Sequence, residues 1–222
     1  MRNWTLLFTL LAAALPLTAC GGDDEGGGTT TTAAAEEPAC TEAERPEPKT
    51  VDVDKPPKRP SAQNLVAVVE TTCGEFEIKL DTRNNPKTTA SFEHLANEGV
   101  YDGTWFHRIV PGFVIQGGDP EGTGTGGPGY SVVERPAEDT EYLRGVVAMA
   151  KTQVEPPGTS GSQFFVVTGA DAGLPPDYAV VGKVTKGMSV VRTIEGYGDP
   201  SSPEGTPLGA VLIESVTVEP RG

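Results

Sequence analysis

From residue 65 onward, apolar and polar side chains alternate in short runs. Residues 65–70 and 75–80 show this pattern. Phe76-Glu77-Ile78-Lys79-Leu80 sends apolar and charged side chains to opposite sides, as in a strand with one wet face. Only Thr71-Thr72-Cys73-Gly74 separates the two runs, which predicts a hairpin. The period then changes: Phe92, Leu95 and Ala96 recur at helical spacing. Asn85 as N-cap and Pro86 at the first helical position predict where that helix starts, and Gly99 is placed to end it in a left-handed conformation. Strand-like runs return at 105–109, 113–116, 146–150, 163–167, 179–184 and 211–218, with a second short helix around 188–194. Many short strands, Gly-rich connections and two isolated helices predict a mainly β fold, a closed antiparallel barrel without exposed edges.

The first 63 residues lack this pattern. Arg2 precedes an apolar stretch, Leu6 to Leu17, that is too short to span a bilayer. It ends in Leu17-Thr18-Ala19-Cys20, which resembles the lipobox of bacterial lipoproteins. That resemblance implies a signal peptide over residues 1–19, cleavage before Cys20 and lipid on its thiol; an ordinary secretory signal is the alternative. Acyl chains on Cys20 would anchor the protein to the bacterial cell membrane on its extracytoplasmic side. Residues 20–63 are rich in Gly, Thr, Pro and Glu and too poor in apolar residues to build a core. They read as a disordered tether leading to a folded domain over 64–222. With Cys20 lipidated, Cys40 and Cys73 remain as an even pair. In an oxidising compartment they either form a bridge or stay as two thiols.

Composition removes several function classes. The formal net charge of −14 argues against a basic face for nucleic acid. Only two histidines are present, His94 and His107, without a short ligand spacing, so no metal is expected. The glycine-rich run at 122–127 lacks the Lys-Ser/Thr ending of a phosphate loop, and Pro128-Gly129 follows where a helix should start. Gly158-Thr-Ser-Gly-Ser162 has a serine in place of the last glycine of a nucleophile elbow, and no histidine follows it. Nothing points to an obligate partner chain, so a monomer is expected.

The stretch Phe106 to Pro120, FHRIVPGFVIQGGDP, sets Arg108 among aromatic and aliphatic residues. An arginine keeps its charge and cannot act as a general base, but it donates hydrogen bonds in a fixed geometry. A fixed donor beside an apolar pocket points to chemistry done by orientation and electrostatics.

Together with Gly124-Thr-Gly-Gly127, Met149-Ala150, GSQFFVV at 161–167 and Tyr178-Ala-Val-Val-Gly-Lys-Val184, this stretch resembles the cyclophilin-type peptidyl-prolyl cis-trans isomerases over residues 64 to 219. The resemblance implies an eight-stranded antiparallel barrel capped by two helices, no cofactor, and proline-containing polypeptides as partners. It implies that Arg108 is the catalytic arginine and that Phe113, Val114, Phe165 and Leu174 hold the substrate proline, with Tyr178 at a position that is often histidine. Gln116 would contact the substrate backbone and position the arginine. Ala150 and Lys151 would lie beside the residue before proline, and His107, Gly124 and Gln163 would complete the groove. Gly173 stands where many members carry a tryptophan tied to cyclosporin binding, and Lys151 to Gly161 is longer than in compact members.

The chemistry fits these residue types. X–Pro bonds interconvert slowly because the amide has partial double-bond character. A donor aimed at the prolyl nitrogen favours the twisted amide, where the lone pair is localised, over the planar one. Going from ~10⁻² to ~10³ s⁻¹ lowers the barrier by about 7 kcal/mol, whereas one charged hydrogen bond supplies ~1.5–3 kcal/mol. The pocket and backbone hydrogen bonds must supply the rest. The retained arginine thus predicts an enzyme assisting the folding of exported or envelope proteins. The alternative is a Pro-peptide-binding module or chaperone with little turnover.

Overall fold

The computed structural model describes residues 40–221; the leader and Cys20 lie outside these residues. In chain order the elements are β1 (Leu65–Thr71), β2 (Gly74–Leu80), α1 (Pro86–Asn97), β3 (Thr104–Trp105), β4 (Arg108–Val110), β5 (Val114–Gly117), β6 (Val132–Val133), β7 (Val146–Met149), β8 (Thr159–Ser160), β9 (Phe164–Val167), β10 (Val180–Lys186), α2 (Met188–Glu195) and β11 (Leu212–Pro220). Nine strands form one antiparallel sheet in the order β3-β11-β1-β2-β10-β7-β9-β5-β4, and β6 pairs with β8 separately.

Two expectations about the sheet change. The single strand expected over 105–109 is two strands, because the chain switches partner there. Trp105 pairs with Leu212 of β11, and Arg108 pairs with Gln116 of β5. This raises eight strands to nine. The sheet is also a curled, open one: its two ends are β3 and β4, and Phe106 and His107 join them covalently where a closing ladder was expected.

Strand alternation divides the molecule into two apolar clusters. Inward positions Ile78, Ile109, Ile115, Val147, Phe164, Val166 and Val181 pack with Phe92 and Leu95 of α1 and Val191 and Ile194 of α2. The intervening positions Val114, Ala148, Phe165 and Val167 form a second cluster with Tyr142 on the face turned away from the helices.

Helix α1 starts as expected but is capped differently. The Asn85 side chain makes no capping bond and donates to Asp81 Oδ2 at 2.9 Å. The Glu134 carboxylate instead accepts from the backbone N–H of Lys87 (3.1 Å) and Thr88 (2.7 Å), where a negative charge suits the helix N-terminus. Gly99 follows the helix with φ +65°, as expected.

Residues 40–63 have no strand or helix, yet they are not a free tether. Cys40 is disulfide-bonded to Cys73 in the β1–β2 turn. The Thr41 N–H donates to Thr72 O, Lys49 N–H to Pro120 O and Val53 N–H to Pro128 O. Arg45 lies 4.9 Å over the Trp105 ring, His94 Nε2 is 2.8 Å from Asp54 O, and Ser61 is bonded to the Glu93 carboxylate. A strap can be held by backbone bonds and a few side-chain contacts without an apolar face of its own, so composition does not reveal it.

Candidate active site

Register places the key side chains in one row. Arg108 faces Gln116 across β4 and β5, Gln116 faces Phe165 across β5 and β9, and Phe165 faces Ala148 across β9 and β7. Strand period two sends all four to the face opposite the helices. A cavity of about 320 Å³ opens there, lined by Arg108, Phe113, Val114, Gln116, Phe165, Leu174 and Tyr178, with Ala150 and Lys151 at one side. Nine residues expected from sequence are thus brought together.

Aromatic packing shapes the apolar wall. Phe165, only 4% exposed, meets Tyr178 edge-to-face with ring centroids 5.5 Å apart. Tyr142 stands behind both, 6.4 Å from Phe165 and 6.0 Å from Tyr178. Its hydroxyl donates to Tyr178 O at 2.7 Å and accepts from Tyr178 N–H at 2.9 Å. Burial is the main cause that pushes the Tyr142 phenol up to about 12, so it stays protonated and keeps both bonds at neutral pH.

Arg108 is held from the opposite side. Its Nε donates to Glu204 O at 3.1 Å, and its guanidinium lies 5.8 Å over the Phe113 ring. Burial draws it below the ordinary arginine value, but a guanidinium remains charged at any physiological pH. Ile109 N–H donates to Gly205 O at 2.8 Å, so the 199–205 loop grips both the backbone and the side chain of this strand. Glu195, at the end of α2, accepts from Gly112 N–H at 2.7 Å and fixes the turn that presents Phe113.

Three expected groove residues do not line the Arg108 cavity. The expected positioning of Arg108 by Gln116 is not seen as a bond: the Gln116 amide donates to Gln163 Oε1 (3.0 Å), and Gln163 in turn donates to Gly126 O (3.0 Å). Gln163 and Gly124 line a neighbouring cavity of about 650 Å³, which shares Gln116, Ala150 and Lys151 with the first. His107 lines neither. It sits between β3 and β4 with its ring centroid 6.5 Å from Trp105, and burial lowers its pKa.

Sequence reasoning missed Tyr142, Gln153 and the Glu204 carbonyl. Gln153 lines the Arg108 cavity, and the other two orient groups that do. Tyr142 lies outside every strand pattern, and a carbonyl acceptor leaves no mark on residue type. Among the described residues, no group of three or more His, Cys, Asp or Glu is placed to hold a metal ion.

Comparisons with known proteins agree with this geometry. Residues 66–218 match the family described as cyclophilin type peptidyl-prolyl cis-trans isomerase/CLD. Peptidyl-prolyl cis-trans isomerase B of Streptomyces anulatus is 38% identical over 179 residues, covering 72% of this chain and 99% of that protein. Peptidyl-prolyl cis-trans isomerase B of Bacillus subtilis is 44% identical over 121 residues, covering 54% of this chain and 82% of that protein. A crystal structure of a Cryptosporidium parvum cyclophilin type isomerase, determined in the presence of the dipeptide Ala-Pro, superposes with a TM-score of 0.63 at 31% identity, covering 70% of this chain and 99% of the other. Alike in sequence from Val66 to Val218 and alike in fold, the chain belongs to the cyclophilin-type peptidyl-prolyl cis-trans isomerases, enzymes that speed rotation about X–Pro bonds.

Proposed function

We propose that this isomerase works as a monomer outside the cytoplasm, held at the bacterial cell membrane by lipid on Cys20. Its substrates are X–Pro bonds in exported polypeptides that have yet to finish folding. The observation that carries the chemical reading is a fixed guanidinium in an open cavity that has one apolar wall, made by Phe113, Val114, Phe165 and Leu174. The proline ring enters against Phe113, Val114, Phe165 and Leu174. Arg108 donates to the prolyl nitrogen as the amide twists and its lone pair localises. The planar amide offers no such acceptor, so the bond strengthens in the transition state. Gln116 and the Ala150–Lys151 backbone hold the flanking peptide while one side rotates. No proton is transferred and no covalent bond is broken.

The leader pattern ending in Cys20 supports the location, as does a Cys40–Cys73 bond of the kind that persists in oxidising compartments. Intact-mass analysis of the membrane fraction tests it. The wild-type chain should begin at Cys20 and carry acyl mass, and Cys20→Ser should shift it to the soluble fraction. An unmodified, soluble wild-type protein would overturn the location. Exchange spectroscopy on an X–Pro peptide tests the activity: binding without faster exchange would favour a Pro-peptide-binding module.

A further inference from the structure

The strap lies against the groove and also forms part of it. Val51 is half-buried and lines the larger cavity together with Ala150 and Lys151. The same cavity is walled by the glycine-rich loop from Glu121 to Ser131. On its own such a loop would sample many conformations. Here it is pinned in two ways. The Asp119 carboxylate accepts from the N–H groups of Glu121 (2.9 Å), Gly124 (2.6 Å) and Gly126 (3.3 Å). The strap then brackets the loop from outside, with Lys49 N–H on Pro120 O and Val53 N–H on Pro128 O, both at 3.1 Å. Gly129, at φ +85°, leaves the space that Asp52 fills: a Cβ there would collide with the Asp52 carboxylate.

We infer that strap residues 49–53 are a built-in wall of the substrate groove, with Val51 a specificity-determining residue for the peptide flanking the X–Pro bond. The inference rests on the reading that the Arg108 cavity holds the prolyl ring. The two cavities share Gln116, Ala150 and Lys151, so a peptide seated in the smaller one runs directly into the larger. There it meets Val51 and the pinned loop. A wall fixed before substrate arrives lowers the ordering cost of binding. A short substrate that stops at the X–Pro pair gains nothing from it.

Two peptides separate these effects: a blocked Ala-Pro dipeptide, and a decapeptide with the same Ala-Pro flanked on both sides by bulky residues. In the full chain the decapeptide should show the lower KM. Val51→Trp fills the larger cavity and should raise the KM of the decapeptide relative to the dipeptide by about ten-fold. Gly129→Leu leaves Val51 itself unchanged but extends a branched side chain from a Cβ already 3.3 Å from Asp52 Cα, pressing the strap off the loop, and should shift the same ratio in the same direction. Thermal unfolding of both variants shows that the domain stays folded. A ratio unchanged in both variants, or a wild-type protein that does not distinguish the peptides, overturns the inference. A wild-type protein that turns over neither peptide overturns the isomerase reading and this inference with it.

Discussion

Arg108 and Gln116 face each other across β4 and β5, yet each is oriented by a different loop. Arg108 leans on the Glu204 carbonyl, and Gln116 on Gln163 and through it on Gly126. The cation and the amide at the centre of the groove are therefore set independently, and substitutions should separate their contributions.

Arg108→Ala should lower kcat/KM for an X–Pro peptide by about a hundred-fold or more, in line with removing one transition-state donor. The half-buried side chain packs outside the core, so the unfolding midpoint should change little. Arg108→Lys should recover only part of the activity, because a point charge does not reproduce the fork of the guanidinium. Full activity in Arg108→Ala would refute the assigned role.

Gly205 should matter as much as a residue that touches substrate. It sits at φ +82°, and an added Cβ would lie 2.6 Å from Val110 Cγ2 and 3.1 Å from Arg108 Cγ. Gly205→Val should tilt Arg108 off its carbonyl and reduce kcat by about ten-fold with a smaller effect on KM. Equal kcat in wild type and variant would show that Arg108 tolerates movement of this loop.

Phe165→Ala should act on binding and stability together. The ring is buried between Tyr142, Tyr178 and the Arg108 cavity, and its loss should cost about 3 kcal/mol of folding stability. KM should rise in the same variant. Denaturant unfolding beside steady-state kinetics checks both.

Folding stability should decline in mild acid because of His107. Burial holds its folded pKa below the unfolded one, so the unfolded chain takes up a proton first. The contribution is complete above the unfolded value of about 6.5 and is lost as pH falls below it, by at most about 1.4 kcal/mol per pH unit. His107→Asn should flatten the stability profile between about pH 7.5 and about pH 5.5, roughly one unit either side of that ordinary histidine value. An unchanged slope would place the acid sensitivity elsewhere.

Breaking the Cys40–Cys73 bond should also weaken the domain. The bond closes a loop with a sequence separation of 33, which chain entropy values at about 3–4 kcal/mol at most. Unfolding with and without reductant, beside the double serine variant, measures it. Identical midpoints would show that the strap's other contacts suffice.

The strands and both helices were legible because alternation and helical spacing are local properties of the chain. What failed was long-range. The break at Phe106 and His107 depends on which strand each side of it meets, and Glu134 caps α1 from more than forty residues away. Residues 40–63 looked unstructured because their hold is made by backbone donors and single side chains such as Arg45 on Trp105. In the site, Arg108, Phe113, Gln116 and Phe165 were readable from motif and resemblance. Tyr142 was not, since nothing in sequence ties it to Tyr178, thirty-six residues further on. His107 adjoins Arg108 in sequence but does not line the Arg108 cavity, because neighbouring positions of an extended chain point to opposite sides.

The Cys40–Cys73 bond also decides where a mechanical load would enter the molecule. It makes residues 41–72 a closed covalent loop, bypassed by a single cross-link. Tension on the chain upstream of Cys40 passes straight to Cys73 and the β1–β2 hairpin, the third and fourth strands of the nine-stranded sheet. The strap residues beside the groove are left slack under such a pull. A pull on that side can thus bypass the strap that lines the larger cavity.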